Sequence, residues 1–495
     1  MKKYNMNGYI RKTVEYAAGN IFDKILLLLL LPLFTRFMVP EEYAVYANVT
    51  IFISFLSLIY LLGLQQALFS HFYQYDDKRY QFTVISSILI TIIIFGILFS
   101  FLIYYFRREL AQLITRDITN QDIFIYVSFI LFCDVLYAIV LRIINTMERS
   151  FNYALLSVVR NLTLLILIFI ASLAGKFSLK TVFIYMSVSS LLSVIIALIN
   201  VLKIMAGLRQ YSRSMPALFS FPIMIDLLNF GLPMIPGTIA LLVLRVSDRY
   251  MLTYLSANGL YDVGIYAIGY RIGMILTFLN SIISLVYFPY AMKIAKDPRS
   301  ASSYRRMFRA YAVWGGLVGF LVILFAWELS LLLLDTAYYE AVKIVVFGVI
   351  SSFLFGLFNI INISFYIRKK AGNIALAVGL GAVINIILNF LLIPRIGIYG
   401  AGIASVISYL FIFLFNYNMA ENLYPLNFEL KPVFLALSGM ILISLVNFFF
   451  FIIPEFTILK IALLIAAAGY LYFKYLHKHV LNQDISDYIA EKFRI

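Results

Sequence analysis

The chain has 495 residues, 63% of them hydrophobic and 13% charged, and a mean hydropathy of +0.95. Soluble domains carry roughly 25% charge, so a water-soluble globular protein is excluded. Long uncharged runs such as 82–106 exclude the short alternating strands of a transmembrane barrel. The net charge of +15 points either to a polyanionic partner or to the Lys/Arg excess of cytoplasmic loops, and the second has to be tested first.

A membrane-crossing helix needs about 20 mostly apolar residues. Fourteen runs qualify: 14–35, 43–70, 81–106, 122–141, 153–174, 181–202, 220–244, 263–290, 308–333, 341–367, 373–393, 399–420, 433–453 and 456–473. The chain therefore reads as an all-α polytopic membrane protein with about 14 transmembrane helices. The first run holds Asp23 and Lys24 and lacks a small-residue cleavage site, so it is read as a span and not a signal peptide. The second, eighth and tenth are long enough to tilt or kink. Pro233 and Pro236 should bend or break the seventh. A short polar tail after Tyr475 reads as a surface helix.

With both termini cytoplasmic, the inner segments and span borders hold 25 Lys and Arg and the outer ones 10, while Lys24, Arg160, Arg271 and Lys460 fall inside spans. This asymmetry satisfies the positive-inside rule and assigns much of the +15 to loops facing anionic lipid. Nucleic acid loses its motive as a partner. The longest connections, near 203–219 and 291–307, leave no room for an extramembrane domain.

Charges inside or bordering spans are the informative residues, since each costs roughly 2.5–3.5 kcal/mol at a helix centre. Span one carries Asp23 and Lys24, which diverge on a helix, and ends at Arg36. Span four carries Asp134 and, two turns later on the same face, Arg142, which can also snorkel to the boundary. Arg160 lies about two turns into span five and Arg271 about two turns into span eight, too deep for easy escape. Arg245 and Arg249 can pair with Asp248 or reach headgroups, and Glu328 beside Trp327 fits an interfacial position. An arginine fork in a wet cavity suits phosphate, because it makes two charge-assisted bonds and stays ionised. Asn385 and Asn389 share one face of span eleven, where amide bonding between helices explains them equally well. Candidate ligands for a substrate anion are Lys24, Arg160, Arg245 and Arg271 with Asn385 and Asn389. Candidate coupling-ion carboxylates are Asp23, Asp134 and Glu328.

Enzymatic chemistry finds little support. Asp76-Asp77 is followed directly by Lys78-Arg79 and reads as a solvated turn. There is no P-loop, G-x-S-x-G or H-E-x-x-H pattern. One cysteine, Cys133, and three histidines leave no disulfide and no expected metal site or cofactor.

An internal repeat is visible. Thr35-Arg36-Phe37-Met38 matches Asp248-Arg249-Tyr250-Met251, and Val45-Tyr46-Ala47 matches Ile265-Tyr266-Ala267. An offset of six spans is even, so the copies point the same way, as in two-lobed transporters. The expected domains are an N-lobe at 1–205, a C-lobe at 206–425, and two further helices with a tail at 426–495.

The run from Asn385 to Pro394, then Gly397, Gly400-Ala401-Gly402 and Ala404-Ser405, resembles the second-half signature of the multidrug/oligosaccharidyl-lipid/polysaccharide exporter superfamily. Arg36-Phe37-Met38-Val39-Pro40-Glu41-Glu42-Tyr43 resembles the first external loop of its polysaccharide branch, the Wzx-type O-antigen and exopolysaccharide flippases. Asp248-Arg249-Tyr250 with Tyr266 and Tyr270-Arg271 is similar to that branch's span seven-to-eight region. The resemblance implies a bacterial inner-membrane flippase, not an enzyme, and it implies a cationic substrate cavity at Arg160, Arg245 and Arg271, with Asp23, Lys24 and Arg36 on span one. Its substrate would be an undecaprenyl-pyrophosphate-linked oligosaccharide, and a polysaccharide polymerase and chain-length machinery would be its partners besides membrane lipid. A lipid II flippase and a drug/cation antiporter of the same fold are the alternatives, with an integral-membrane glycosyltransferase or polymerase behind them.

Overall fold

The computed structural model describes residues 6–73, 77–210, 217–295, 297, 300–370, 372–450, 462 and 466. Apart from residues 462 and 466, the expected fourteenth span at 456–473 lies outside the described residues, as does the polar tail after Tyr475. Within them the secondary structure is entirely helical, with no strand.

The helices follow the apolar runs in chain order: α1 (Met6–Phe37), α2 (Pro40–Tyr60), α3 (Leu64–Phe72), α4 (Lys78–Tyr105), α5 (Arg107–Thr115), α6 (Ile123–Thr146), α7 (Ser150–Leu173) and α8 (Leu179–Gln210). After the connection come α9 (Phe221–Gly231), α10 (Ile235–Leu255), α11 (Leu260–Gly273), α12 (Leu276–Lys293), α13 (Ser300–Leu324), α14 (Ala326–Leu333), α15 (Val342–Ile361), α16 (Ile363–Ile367), α17 (Gly372–Leu423) and α18 (Lys431–Phe450). Nine helical segments among the described residues are long and apolar enough to cross a membrane. One of them, α17, is 52 residues long and holds two spans, broken where Ile396 and Gly397 leave helical geometry (Gly397 φ 55°) just after Pro394.

The long runs are interrupted helices. Span two breaks at Leu61–Gly63, where Leu62 and Gly63 adopt φ of 49° and 69°. Span seven breaks at a 3-10 turn, Leu232–Met234, set between Gly231 and Pro236. Proline supplies no amide hydrogen, so a helix interrupted there forfeits little bonding. Span eight breaks between α11 and α12, and span ten at Asn362.

The two halves pack in parallel ways. In the first, α1 lies on α7, α4 on α6, and α6 on α8. In the second, α10 lies on α17, α13 on α15, and α15 on α17. α2 and α11 begin 220 residues apart, and in each the Tyr-Ala pair, Tyr46-Ala47 or Tyr266-Ala267, sits at the same distance from the helix start. The halves meet through α2 against α10 and α11, α1 against α12, and α3 against α9.

Candidate functional site

A cavity of about 580 Å³ lies where the halves meet. Lys24 of α1 and Arg245 of α10 bring its cationic charge. Tyr270, Thr277, Asn280 and Ser281 of the broken eighth span, Ser351, Ser352 and Asn359 of α15, and Tyr409 of α17 bring hydroxyls and amides. Among the described residues that line it there is no carboxylate. Arg245 is exposed to this space, with its guanidinium 4.9 Å from the centre of the Phe355 ring. The ring holds the fork by cation–π attraction, and the Tyr409 hydroxyl bonds with it, so the remaining N–H groups are left for a ligand. Lys24 donates to the Ser281 hydroxyl and, at 3.4 Å, to the Thr277 carbonyl. The bend in span eight serves this site, since Thr277 and Ser281 stand in the first turns of α12 just after the break.

Asp23, next to Lys24, turns the other way. It accepts a hydrogen bond from the Asn161 amide of α7. Arg160, one residue earlier, pairs with Asp134 of α6 at 2.7 Å, and Asp134 also accepts from Ser190 of α8 at 2.8 Å. The Arg160 guanidinium lies close enough to act on the Asp23 charge. Asp23, Asp134 and Arg160 thus form one network inside the first half. The sequence placed Asp134 and Arg142 on one helical face. In the structure Asp134 turns to Arg160, while Arg142 donates to the Gln65 carbonyl at 3.0 Å and sits over the Phe69 ring. That carbonyl belongs to the first turn of α3.

The other expected residues stand apart from the cavity lining. Arg271 donates to the Tyr43 hydroxyl at 2.9 Å, joining span eight to span two. Arg36 is exposed at the end of α1. Glu328 is half-buried on α14. Asn385 and Asn389 are fully buried, and Asn389 donates to Asn385, whose carbonyl oxygen also accepts from Ser247 of α10 at 2.8 Å. The Ser247–Asn385 bond ties spans seven and eleven together, while the Asn389 bond stays within span eleven.

One buried acid was underweighted in the sequence. Asp248 is 1% exposed and accepts from its neighbour's amide, from the Tyr266 hydroxyl, and from Ser405 at 3.4 Å. Arg249 beside it faces the Tyr270 ring at 5.9 Å. The signal was present, since an acid next to an arginine in a span needs hydroxyl partners from other helices. Those partners were not readable before the packing was known.

At the end of the bundle that carries residues 38–43, the halves are closed against each other. Tyr338 donates to the Met38 carbonyl at 2.9 Å. Asn48 donates to Thr253 at 2.9 Å, and Tyr250 donates back to the Asn48 carbonyl at 2.8 Å. Gly264 lies so close to Pro40 that an added Cβ would stand 2.1 Å from the Pro40 oxygen.

A sequence model of the family described as "Polysaccharide biosynthesis protein" matches residues 10–295. That is more than half of the chain, which belongs to this family. No curated protein sequence matches it. Among solved structures, the chain is similar to "Lipid II flippase MurJ, inward closed conformation", with a TM-score of 0.73, 15% identity, and coverage of 93% of this chain and 99% of that one. It is similar to an inward-facing multidrug resistance MATE family transporter of the MOP superfamily, with a TM-score of 0.65, 15% identity, and coverage of 81% and 95%. It is also similar to a MOP superfamily transporter from Pyrococcus furiosus described as having a binding pocket of reverse polarity, with a TM-score of 0.59, 14% identity, and coverage of 84% and 96%. The fold is that of the MurJ and MATE transporters.

Proposed function

From membership of the polysaccharide biosynthesis family, we propose that this protein is a flippase. It moves an undecaprenyl-pyrophosphate-linked oligosaccharide from the cytoplasmic to the periplasmic leaflet of a bacterial inner membrane, for O-antigen or exopolysaccharide synthesis. The observation that carries the reading is the cavity between the halves, cationic through Lys24 and Arg245, without a carboxylate among the described residues of its lining, and otherwise furnished with hydroxyls, amides and tyrosines. A pyrophosphate meets two cations there. Its sugars meet the hydroxyl and amide groups of the lining, among them those of Tyr270 and Tyr409. At about 580 Å³ the space is within the range of small-molecule sites. It accommodates the pyrophosphate and the first sugars, and the lipid tail stays in the bilayer.

Flipping breaks no bond. The protein replaces the hydration that a charged head loses on crossing about 30 Å of hydrocarbon. The matched packing of the halves supports two lobes, helices one to six and seven to twelve, that rock about the cavity. With both termini cytoplasmic, the closed end at residues 38–43 is periplasmic. Asp23 and Asp134, tied to Arg160, are the first-lobe carboxylates through which an ion can couple to this movement. Asp248 is their counterpart in the second lobe.

A lipid II flippase is the second reading, favoured by the fold match. A drug/cation antiporter requires an acidic cavity, and this lining does not supply one. The test is leaflet exchange in proteoliposomes, with a fluorescent polyprenyl-pyrophosphate-linked disaccharide and lipid II as parallel probes. Replacing both Lys24 and Arg245 by Gln should lower exchange of the preferred probe at least tenfold with folded yield unchanged. Undiminished exchange by that double variant overturns the cationic-cavity reading.

A further inference from the structure

The connection at 203–219 separates the halves in sequence, yet the packing divides them elsewhere. The first segment of span seven, α9, lies on α3 and α4 of the opposite half. The Ser220 amide donates to the Ser87 hydroxyl at 3.1 Å, and the Thr83 hydroxyl donates to the Ala217 carbonyl at 3.0 Å. The His71 ring meets Phe230 edge-on, and Leu227 is completely buried. The second segment, α10, is tied to α17 through Ser247 and Asp248 and meets the first half at the closed end, through Asn48. Between them stands the interruption at Gly231, Pro233 and Pro236.

The break in span two lies directly against this one. A Cβ on Gly63 would stand 2.1 Å from the Gly231 oxygen, and a Cβ on Gly231 would stand 2.8 Å from the Gly63 and Leu62 oxygens. Two interrupted helices therefore touch backbone to backbone at their interruptions. On the α10 side, a gap of about 20 Å³ lined by Gln65, Gln66, Met234 and Thr238 leaves the contact loosely filled. Such a joint turns with few side-chain contacts to break.

We infer that the boundary between the moving lobes runs through span seven at Gly231–Pro236: α9 travels with the first lobe, and the Gly63–Gly231 contact is the pivot. This rests on the two-lobe rocking reading above. The packing of α9 on the first half resists separation, because Leu227 and Met224 would have to be uncovered, while the 3-10 turn can absorb rotation about few dihedrals.

The experiment uses two disulfide staples in the full chain, with the single cysteine removed as Cys133→Ser. Ser87→Cys with Ser220→Cys joins α9 to the first lobe. Asn48→Cys with Thr253→Cys joins α10 to the first lobe at the closed end. Exchange of the pyrophosphate-linked disaccharide probe is measured in proteoliposomes before and after oxidation and again after reduction. The expected result is that the 87–220 staple leaves exchange within twofold, whereas the 48–253 staple lowers it at least tenfold, reversibly. Reversible arrest by the 87–220 staple overturns the inference and returns the boundary to the 203–219 connection. Full exchange with the 48–253 staple closed overturns the rocking reading itself, and the pivot falls with it.

Discussion

The Arg160–Asp134 pair gives a prediction whose magnitude can be worked out. Asp134 is 9% exposed and Arg160 29%, and the two are 2.7 Å apart. Breaking a buried pair by removing one partner costs about 3–5 kcal/mol, because the remaining charge is left uncompensated. The partial exposure of Arg160 places Arg160→Gln at the lower end of that range. Soluble proteins gain about 2.1 cal/mol/K of unfolding entropy per residue, and a membrane protein that keeps its helices gains less. The midpoint should therefore fall by at least about 3 °C. Replacing both partners by apolar residues, Arg160→Met with Asp134→Leu, removes the stranded charge and should recover most of the loss. Thermal unfolding in detergent, followed by size-exclusion, supplies the double-mutant cycle. Recovery of the midpoint without recovery of probe exchange would show that the network has a role in transport beyond stability. A midpoint within 1 °C of the parent for Arg160→Gln, with no coupling in the cycle, would refute the reasoning, since it would mean that water already screens the pair.

Two further outcomes follow from backbone geometry and from the closed end. Gly63 and Gly175 both have positive φ, 69° and 64°, but a Cβ at Gly175 meets nothing within 4 Å. Gly175→Ala should cost only the left-handed penalty of about 1–2 kcal/mol, while Gly63→Ala should also collapse the folded yield in size-exclusion. Equal yields would refute the contact. Asn48→Leu should release the Thr253 bond and raise maleimide labelling of a cysteine placed at Tyr270 in the Cys133→Ser background, and unchanged labelling would show that the closed end does not depend on this bond.

Composition and run length made the helices legible, because hydrocarbon enforces a length and an apolar character on every span. Thirteen of the expected runs fall on helices, with the breaks in the second and seventh foreshadowed by length and by proline. The cavity was half legible. Lys24 and Arg245 could be found because charge in a span is costly, and Asn359 because an amide stands out in an apolar helix. Ser351, Ser352 and Thr277 could not, since hydroxyls are common on membrane helices and satisfy themselves within one turn, as Ser281 does on the Thr277 carbonyl at 2.8 Å. Arg271 shows the converse. Its charge inside an apolar run stands out in the sequence, but a half-buried arginine is equally served by a tyrosine on another helix, and sequence does not distinguish that from a ligand.

The adjacent pair Asp23-Lys24 joins these threads. Neighbours on a helix are about 100° apart, so two charges in sequence cannot both face one partner. Asp23 faces Asn161 and the Arg160–Asp134 network of the first half, and Lys24 faces Ser281, Thr277 and the cavity. A rotation or bend of α1 that relaxes one contact necessarily disturbs the other. The charge state of the first-lobe network and the position of the cavity cation are then not independent. Gly19 strengthens the link, because a Cβ there would stand 2.7 Å from the Ala154 Cα. The close approach of α1 to α7 fixes the helix one turn below the pair and directs any movement to the turns above it.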